Sequence, residues 1–287
     1  MTANLSPTAR HRRLIFELKR LREDRNLSRG QVAEQLGTSE TTVFRYEKGQ
    51  HRPKPADVAA LLDIYGVTDR AAREELLEMA KDARKRGWWH RYRRTLKPGF
   101  DSYIGLEAAA SVIRTYQPQV VPGLLQTADY ARAVIEETAM NFTPTEVDEK
   151  VEVRLSRQDL IHRDTDPVQF IAVLDEAVVR RLVGGPKTMR AQLLHLLEVS
   201  MRPNVEVRVI PFAAGAHAAM DGPFCLLGFP ETDAPDLVYL EQAISALVPE
   251  DPEEIRHYTL MFGNVLAKAH SAAESVAFIK ASADNMP

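Results

Sequence analysis

The chain has 287 residues, 45% of them apolar and 27% charged, and a net charge of −3. That length exceeds what one small core needs and suits two packed domains, while the balance excludes a disordered chain. No stretch has the length and apolarity of a membrane span, residues 1–13 lack a signal-like apolar core, and the single cysteine, Cys225, excludes an intrachain disulfide or a cysteine-built zinc site. A reducing, cytoplasmic setting is expected.

The small net charge hides a division. Residues 1–94 carry +8 and the remainder −11. A cationic segment attracts the phosphate backbone of a duplex, whereas the acidic remainder repels it. A charge run by itself describes only a solvated face, so pattern has to decide.

Ser6-Pro7 offers a cap and a first-turn proline, after which Leu14, Leu18 and Leu21 recur on one helical face. Asn26 suits a left-handed stop. Ser28-Arg29-Gly30-Gln31 then has the form of a capping box and opens a second helix through Val32, Ala33 and Leu36 to Gly37. Ser39 caps a third helix that directs Val43 and Tyr46 inward and ends near Gly49. A fourth starts at Pro55, with Val58, Leu61, Leu62 and Tyr65 as its apolar face and Gly66 as its stop.

Two short capped helices joined across Gly37-Thr38 are what a helix-turn-helix requires to hold its second helix proud of the surface. With Val43 and Tyr46 inside, Glu40, Thr41, Thr42, Phe44 and Arg45 remain for the outer face. Arg45 can fork onto guanine, Thr41 and Thr42 can meet a thymine methyl or donate a hydroxyl, and Glu40 can accept from cytosine. Arg29, Ser39, Lys48, Arg52 and Lys54 flank that face and suit phosphates, as do the first N–H groups of the second helix.

The run Leu27-Ser28, Val32-Ala33, Leu36-Gly37-Thr38-Ser39 and Val43 through Tyr46-Glu47-Lys48-Gly49, followed by Arg52-Pro53, resembles the phage-repressor type of helix-turn-helix, the XRE or Cro/C1 family, over residues 14–65. The resemblance implies binding to double-stranded DNA. It also implies a structural pair between Glu47 and an arginine of the first helix, here Arg22.

From Asp69 a longer helix with Leu76, Leu77 and Ala80 on its face leads to Lys81-Asp82-Ala83-Arg84-Lys85-Arg86-Gly87 and then Trp88-Trp89-His90-Arg91-Tyr92-Arg93-Arg94. Basic residues among aromatics can stack on unpaired bases or clamp two domains; a clamp is the better reading, because a duplex reader rarely meets unstacked bases. Leu96-Lys97-Pro98-Gly99 has the composition of a turn. The expected domains are 1–68 for DNA, 69–99 as a helical linker with the tryptophan junction, and 100–287 as a larger regulatory or partner-binding domain.

That larger domain reads as mixed α/β or α+β. Residues 120–125 suggest a strand or turn feeding a helix from Ala128 to about Glu137, and Pro144 opens another with Val147, Val151 and Leu155 on one face. Val168 to Leu174 reads as a strand buried on both faces. Helices over 175–183 and 187–199 separate it from the alternating strand Val205 to Val209, which makes a plausible parallel crossover. Phe224 to Phe229 and Leu237 to Glu241 add strands, and a helix from Pro252 to Ala267 is expected to close the domain.

Nothing in this half has the spacing of a catalytic or metal site. His217 and Asp221 lie near Cys225 in a loop from Gly215 to Gly222, yet no second histidine stands at ligand spacing, no nucleophile elbow is present, and Gly184-Gly185-Pro186-Lys187 lacks the glycines of a phosphate loop. His162, His195, His257 and His270 are scattered, and Asp175-Glu176 suits a helix start. No catalytic residue, metal or cofactor is expected.

Gly87-Trp88-Trp89-His90, Tyr103-Ile104-Gly105-Leu106-Glu107, Val121-Pro122-Gly123-Leu124-Leu125-Gln126-Thr127 with Tyr116 and Tyr130-Ala131, Pro203-Asn204-Val205 and Gly222-Pro223-Phe224 resemble the C-terminal domain of WhiJ-like or antitoxin-like actinobacterial regulators. The likeness implies control of development or secondary metabolism and a small acidic partner protein, and it implies no ligand and no catalytic residue. Together these expectations describe a transcriptional regulator binding double-stranded DNA as a homodimer, its larger domain receiving a signal from a partner protein or small molecule. The alternative is an antitoxin-like protein that neutralises a small partner and represses its own synthesis.

Overall fold

The computed structural model describes residues 6–138, 142–230, 235–242, 245–249 and 251–286, and these divide between His90 and Arg91 into two compact units. In the first unit, local capping chemistry sets the boundaries. The Ser6 hydroxyl accepts the Ala9 N–H to start α1 (Pro7–Asp24), and Asn26, at φ 53°, turns the chain out of it. Ser28 and Gln31 form the reciprocal box that opens α2 (Arg29–Leu36), which stops at Gly37 in the left-handed conformation. Ser39 accepts the Thr42 N–H at the start of α3 (Glu40–Glu47).

Asp57 accepts both the Lys54 N–H and the Tyr46 hydroxyl, so α4 (Pro55–Ile64) is tied to the end of α3. Asp69 caps α5 (Arg70–Asp82), which packs on α1 and α4. Leu14, Leu18, Val32, Val43, Leu61 and Leu62 meet Leu76, Met79 and Ala80 in one core. This helix therefore contributes to the burial that supports α2 and α3. Close to the end of the unit a Cβ on Gly87 would lie 2.4 Å from the Trp89 ring, so the bare backbone there is needed for the indole to fold back.

The second unit begins with α6 (Phe100–Glu107) and is built on a six-stranded sheet. Strand β1 (Val112–Gln117) leads through α7 (Ala128–Thr138), α8 (Pro144–Arg157) and the single turn α9 (Asp159–His162) to β2 (Gln169–Asp175). From there α10 (Glu176–Arg180) and α11 (Gly185–Val199) return the chain to β3 (Val205–Ile210). After β4 (Phe224–Gly228), β5 (Leu237–Glu241) and β6 (Ala246–Leu247) come α12 (Pro252–Lys268) and α13 (Ala272–Asp284).

The spatial order is β3-β2-β1-β4-β5-β6. The first three strands are parallel and the rest antiparallel, so β1 stands where the two halves meet. The crossover read from sequence is present, with Phe170 opposite Val205 in the parallel register. Alternate residues of β2 enter different cores: Phe170, Ala172 and Leu174 pack with Met189, Leu193 and Ile279, whereas Val173 packs with Phe224, Phe262 and Val265. That is why the strand reads as a continuous apolar run. An all-α helix-turn-helix unit followed by a mixed α/β unit is the architecture expected from the sequence.

Candidate nucleic-acid interface

Helix α3 is eight residues long and buries Val43 fully, while Glu40, Thr41, Phe44 and Arg45 are exposed and Thr42 is partly so. The Thr42 hydroxyl also bonds the Ser39 hydroxyl at 2.9 Å, so both side chains lie at the helix start. A Cβ placed on Gly30 would sit 3.7 Å from Glu40 Oε2, which puts that carboxylate against the first turn of α2. Glu40 thus occupies the neighbourhood of the anion-attracting N–H groups that the sequence offered to a phosphate.

What holds α3 against the other helices is a carboxylate shut away from water. The Glu47 side chain is only 6% exposed and accepts from two arginines. Arg22 forks onto it through Nε and Nη2 and donates Nη1 to the Leu27 carbonyl at 2.8 Å, while Arg29 donates Nε to Glu47 Oε2 at 2.7 Å. Hydrogen bonding to Glu47 raises the Arg22 pKa above its ordinary value, against the opposing effect of burial. One anion thereby ties together α1, the start of α2 and the end of α3. The pairing of Arg22 with Glu47 was available from the resemblance; the second arginine was not.

Arg29 lies with its guanidinium carbon 5.5 Å from the centroid of the Phe44 ring, so a basic residue and the exposed aromatic form a contact bordering α3. Lys48 and Lys54 are exposed. Arg52 directs Nη1 to the Ala83 carbonyl at 2.6 Å, past the end of α5. Beneath the segment after α3 lies His11, which is 8% exposed and lowered to about 4 by burial first and by the Arg52 charge second, with the His51 backbone pulling the other way.

Residues 14–76 match a helix-turn-helix domain family, and residues 100–281 match a domain of unknown function, DUF5753. The chain belongs to the DUF5753 family. No curated protein and no solved structure matches it. The helix-turn-helix match runs from Leu14 within α1 through α2, α3 and α4 to Leu76 within α5, and it supports a DNA-binding domain in the first unit.

Within the DUF5753 domain the residues weighed for chemistry do not converge. His217 accepts the Ala219 N–H at Nδ1 and bonds the Tyr116 hydroxyl through Nε2 at 3.1 Å, so both ring nitrogens have partners. The Cys225 thiol is buried, 3.7 Å from the Tyr103 hydroxyl, and burial pushes its pKa up to about 12, which leaves it without the thiolate a nucleophile needs. Asp175 accepts the Ala177 N–H and caps α10. Among the described residues no group of three His, Cys, Asp or Glu side chains could hold a metal, and no helix is long and apolar enough to cross a membrane.

The segment Val121 to Thr127, singled out in the sequence, is a short irregular turn in the DUF5753 domain whose backbone is satisfied by side chains. Tyr130 accepts the Val121 N–H, Gln126 donates to the Val121 carbonyl, and Gln192 both donates to the Leu125 carbonyl and accepts the Thr127 N–H. Gln158 reaches the carbonyls of Gly123 and Gln126. Buried backbone needs such partners, and this set accounts for Gln126, while Leu124 and Leu125 are buried in the core.

Proposed function

We propose that this protein is a sequence-specific, double-stranded DNA-binding transcriptional regulator of the cytoplasm that places α3 in the major groove. The observation that carries the reading is the exposed face of Glu40, Thr41 and Arg45 on a helix anchored from behind by Glu47, Arg22 and Arg29. Arg45 reads a base through its fork, Thr41 and Thr42 address thymine, and Glu40 answers cytosine if its carboxylate swings off α2. Ser39, Lys48, Lys54, Arg29 and Arg52 position the duplex through phosphates.

Such a helix covers only a few base pairs, so the protein binds two half-sites about one helical turn apart as a homodimer. The second unit receives a signal and performs no catalysis; the partnered His217 and the buried, protonated Cys225 support this. Its motif likeness to WhiJ-like and antitoxin-like actinobacterial regulators supports the same role. The test is equilibrium binding to a selected operator and to a scrambled duplex. Arg45→Ala is expected to relax discrimination at one base position, and Lys54→Ala to weaken both duplexes alike. Equal losses on both duplexes for Arg45→Ala would remove it from the reading face.

A further inference from the structure

Helix α8 carries Lys150, Arg154 and Arg157 at intervals of four and three residues, which sets three cations on one stripe. Among the described residues, only Arg157 of the three forms an ion pair. Arg157 is almost fully buried and forks onto Glu107, Nε to Oε2 at 2.7 Å and Nη2 to Oε1 at 2.6 Å, with the rings of Phe100 and Tyr103 beside its guanidinium. Arg154, one turn earlier and partly open to solvent, has no carboxylate within ion-pair distance among the described residues. Its Nη1 donates to the Gln126 side-chain oxygen at 2.9 Å.

Burial and neighbouring cations act together on Lys150 and Arg154. Lys150 is half-buried, its ammonium 4.2 Å from the centroid of the Phe142 ring, and burial, Lys97 and Arg154 together lower its pKa. Burial and the neighbouring Arg157 push Arg154 down to about 10. Two carboxylates oppose these shifts: Glu241, which acts on both cations and is bonded to Lys97 at 3.1 Å, and Glu146, which acts on Lys150 and is engaged in the cap of α8 with Thr143. The backbone also comes close: a Cβ on Gly123 would stand 3.4 Å from Arg157 Nη1 and 3.6 Å from Arg154 Nε. A desolvated cation without a counter-ion raises the energy of the fold, and a group kept at such a cost commonly serves binding.

We propose that Arg154 and Lys150, set between α8 and the turn at Gly123–Gln126, bind a small anionic ligand through a phosphate or carboxylate group. A fork-shaped guanidinium with free N–H groups beside a compact ammonium suits two oxygens of one such group. The duplex itself is a poor candidate, because residues 95–287 carry −11. The proposal rests, for its link to DNA, on the reading that the second unit receives a signal; the binding step stands apart from it.

The test uses the full chain, thermal unfolding and titration calorimetry with phosphate, pyrophosphate and citrate at ionic strength fixed by sodium chloride. One probe class is expected to raise the midpoint and to titrate with one site per chain. Arg154→Gln keeps a donor for Gln126 and removes the unmatched charge. It is expected to raise the midpoint of the free protein while weakening the probe about tenfold or more, and Lys150→Gln is expected to weaken the same probe. A response to the phosphates alone assigns a phosphorylated ligand, and a response to citrate alone a carboxylate. No binding at millimolar probe, or equal binding by wild type and both variants, overturns the site. If the probe binds through Arg154 yet leaves operator affinity unchanged, the site stands and the signal-receiving role of this unit falls.

Discussion

A buried carboxylate that accepts from two guanidinium groups is more exacting than a surface ion pair, because removing it leaves charge stranded in a region of low polarity. Glu47→Gln keeps the shape and deletes the anion, so Arg22, whose side chain is 9% exposed, faces Arg29 with only the half-exposed Glu23 left as a counter-charge. The expected loss is about 3 kcal/mol or more. Both tryptophans of the chain, Trp88 and Trp89, belong to the first unit, so fluorescence during urea unfolding reports on it. An unchanged midpoint would mean that the network is dispensable.

His11 makes a second demand of the same kind, with a sign that can be worked out. Its pKa lies near 4 in the folded unit against 6.5 in an unfolded chain, so between those values the unfolded state binds a proton that the folded state refuses. Stability is therefore complete above pH 6.5 and declines as pH falls toward 4. The full loss is of the order of 3 kcal/mol. His11→Leu should flatten the urea midpoint across that window, and an equally steep dependence in the variant would assign the effect elsewhere. Cys225, by contrast, should ignore a thiol reagent at pH 8 until denaturant is added, since burial holds it protonated.

The helices of the first unit could be bounded from sequence because their ends are decided within three or four residues. Ser28 with Gln31, Ser39 before Thr42 and the left-handed Gly37 each satisfy backbone groups locally. At Gly37, φ is 67° and nothing lies within 4 Å of the place a Cβ would take, so Gly37→Ala carries a conformational penalty alone, about 1 kcal/mol, and Gly37→Asn less. Urea midpoints of the two variants check that ordering, and operator affinity of the folded protein should not change. Strand β1 escaped the sequence reading although it is central to the sheet, because Arg114, Thr115 and Gln117 interrupt its apolar pattern. Thr115 is buried and its hydroxyl donates to the Phe224 carbonyl, 109 residues away, a partner that no local pattern reveals. Helix α13 was missed for a similar reason: Ser275 looks like surface but is fully buried, accepting the Val209 N–H. The same holds for Glu107 and Arg157, which are separated by 50 residues and meet only in the folded unit.

Charge is distributed along the chain so that the segment with the helix-turn-helix carries +8 and the rest −11, and the affinity for DNA has to come from the smaller, cationic part. Counterion release turns this into a measurable count. With the proposed phosphate contacts of Arg29, Lys48, Arg52 and Lys54, four per chain and eight in the proposed homodimer, the logarithm of the binding constant should fall with the logarithm of salt with a slope of about −7. Neutralising one residue per chain then distinguishes assemblies. In a dimer Lys54→Ala removes two contacts and should make the slope shallower by about 2, whereas a single chain on the operator would lose only about 1. Fluorescence anisotropy between 50 and 200 mM salt reads the difference directly. A change near 1 would remove the homodimer from the reading, and no change would remove Lys54 from the phosphate contacts while leaving α3 to be judged by Arg45.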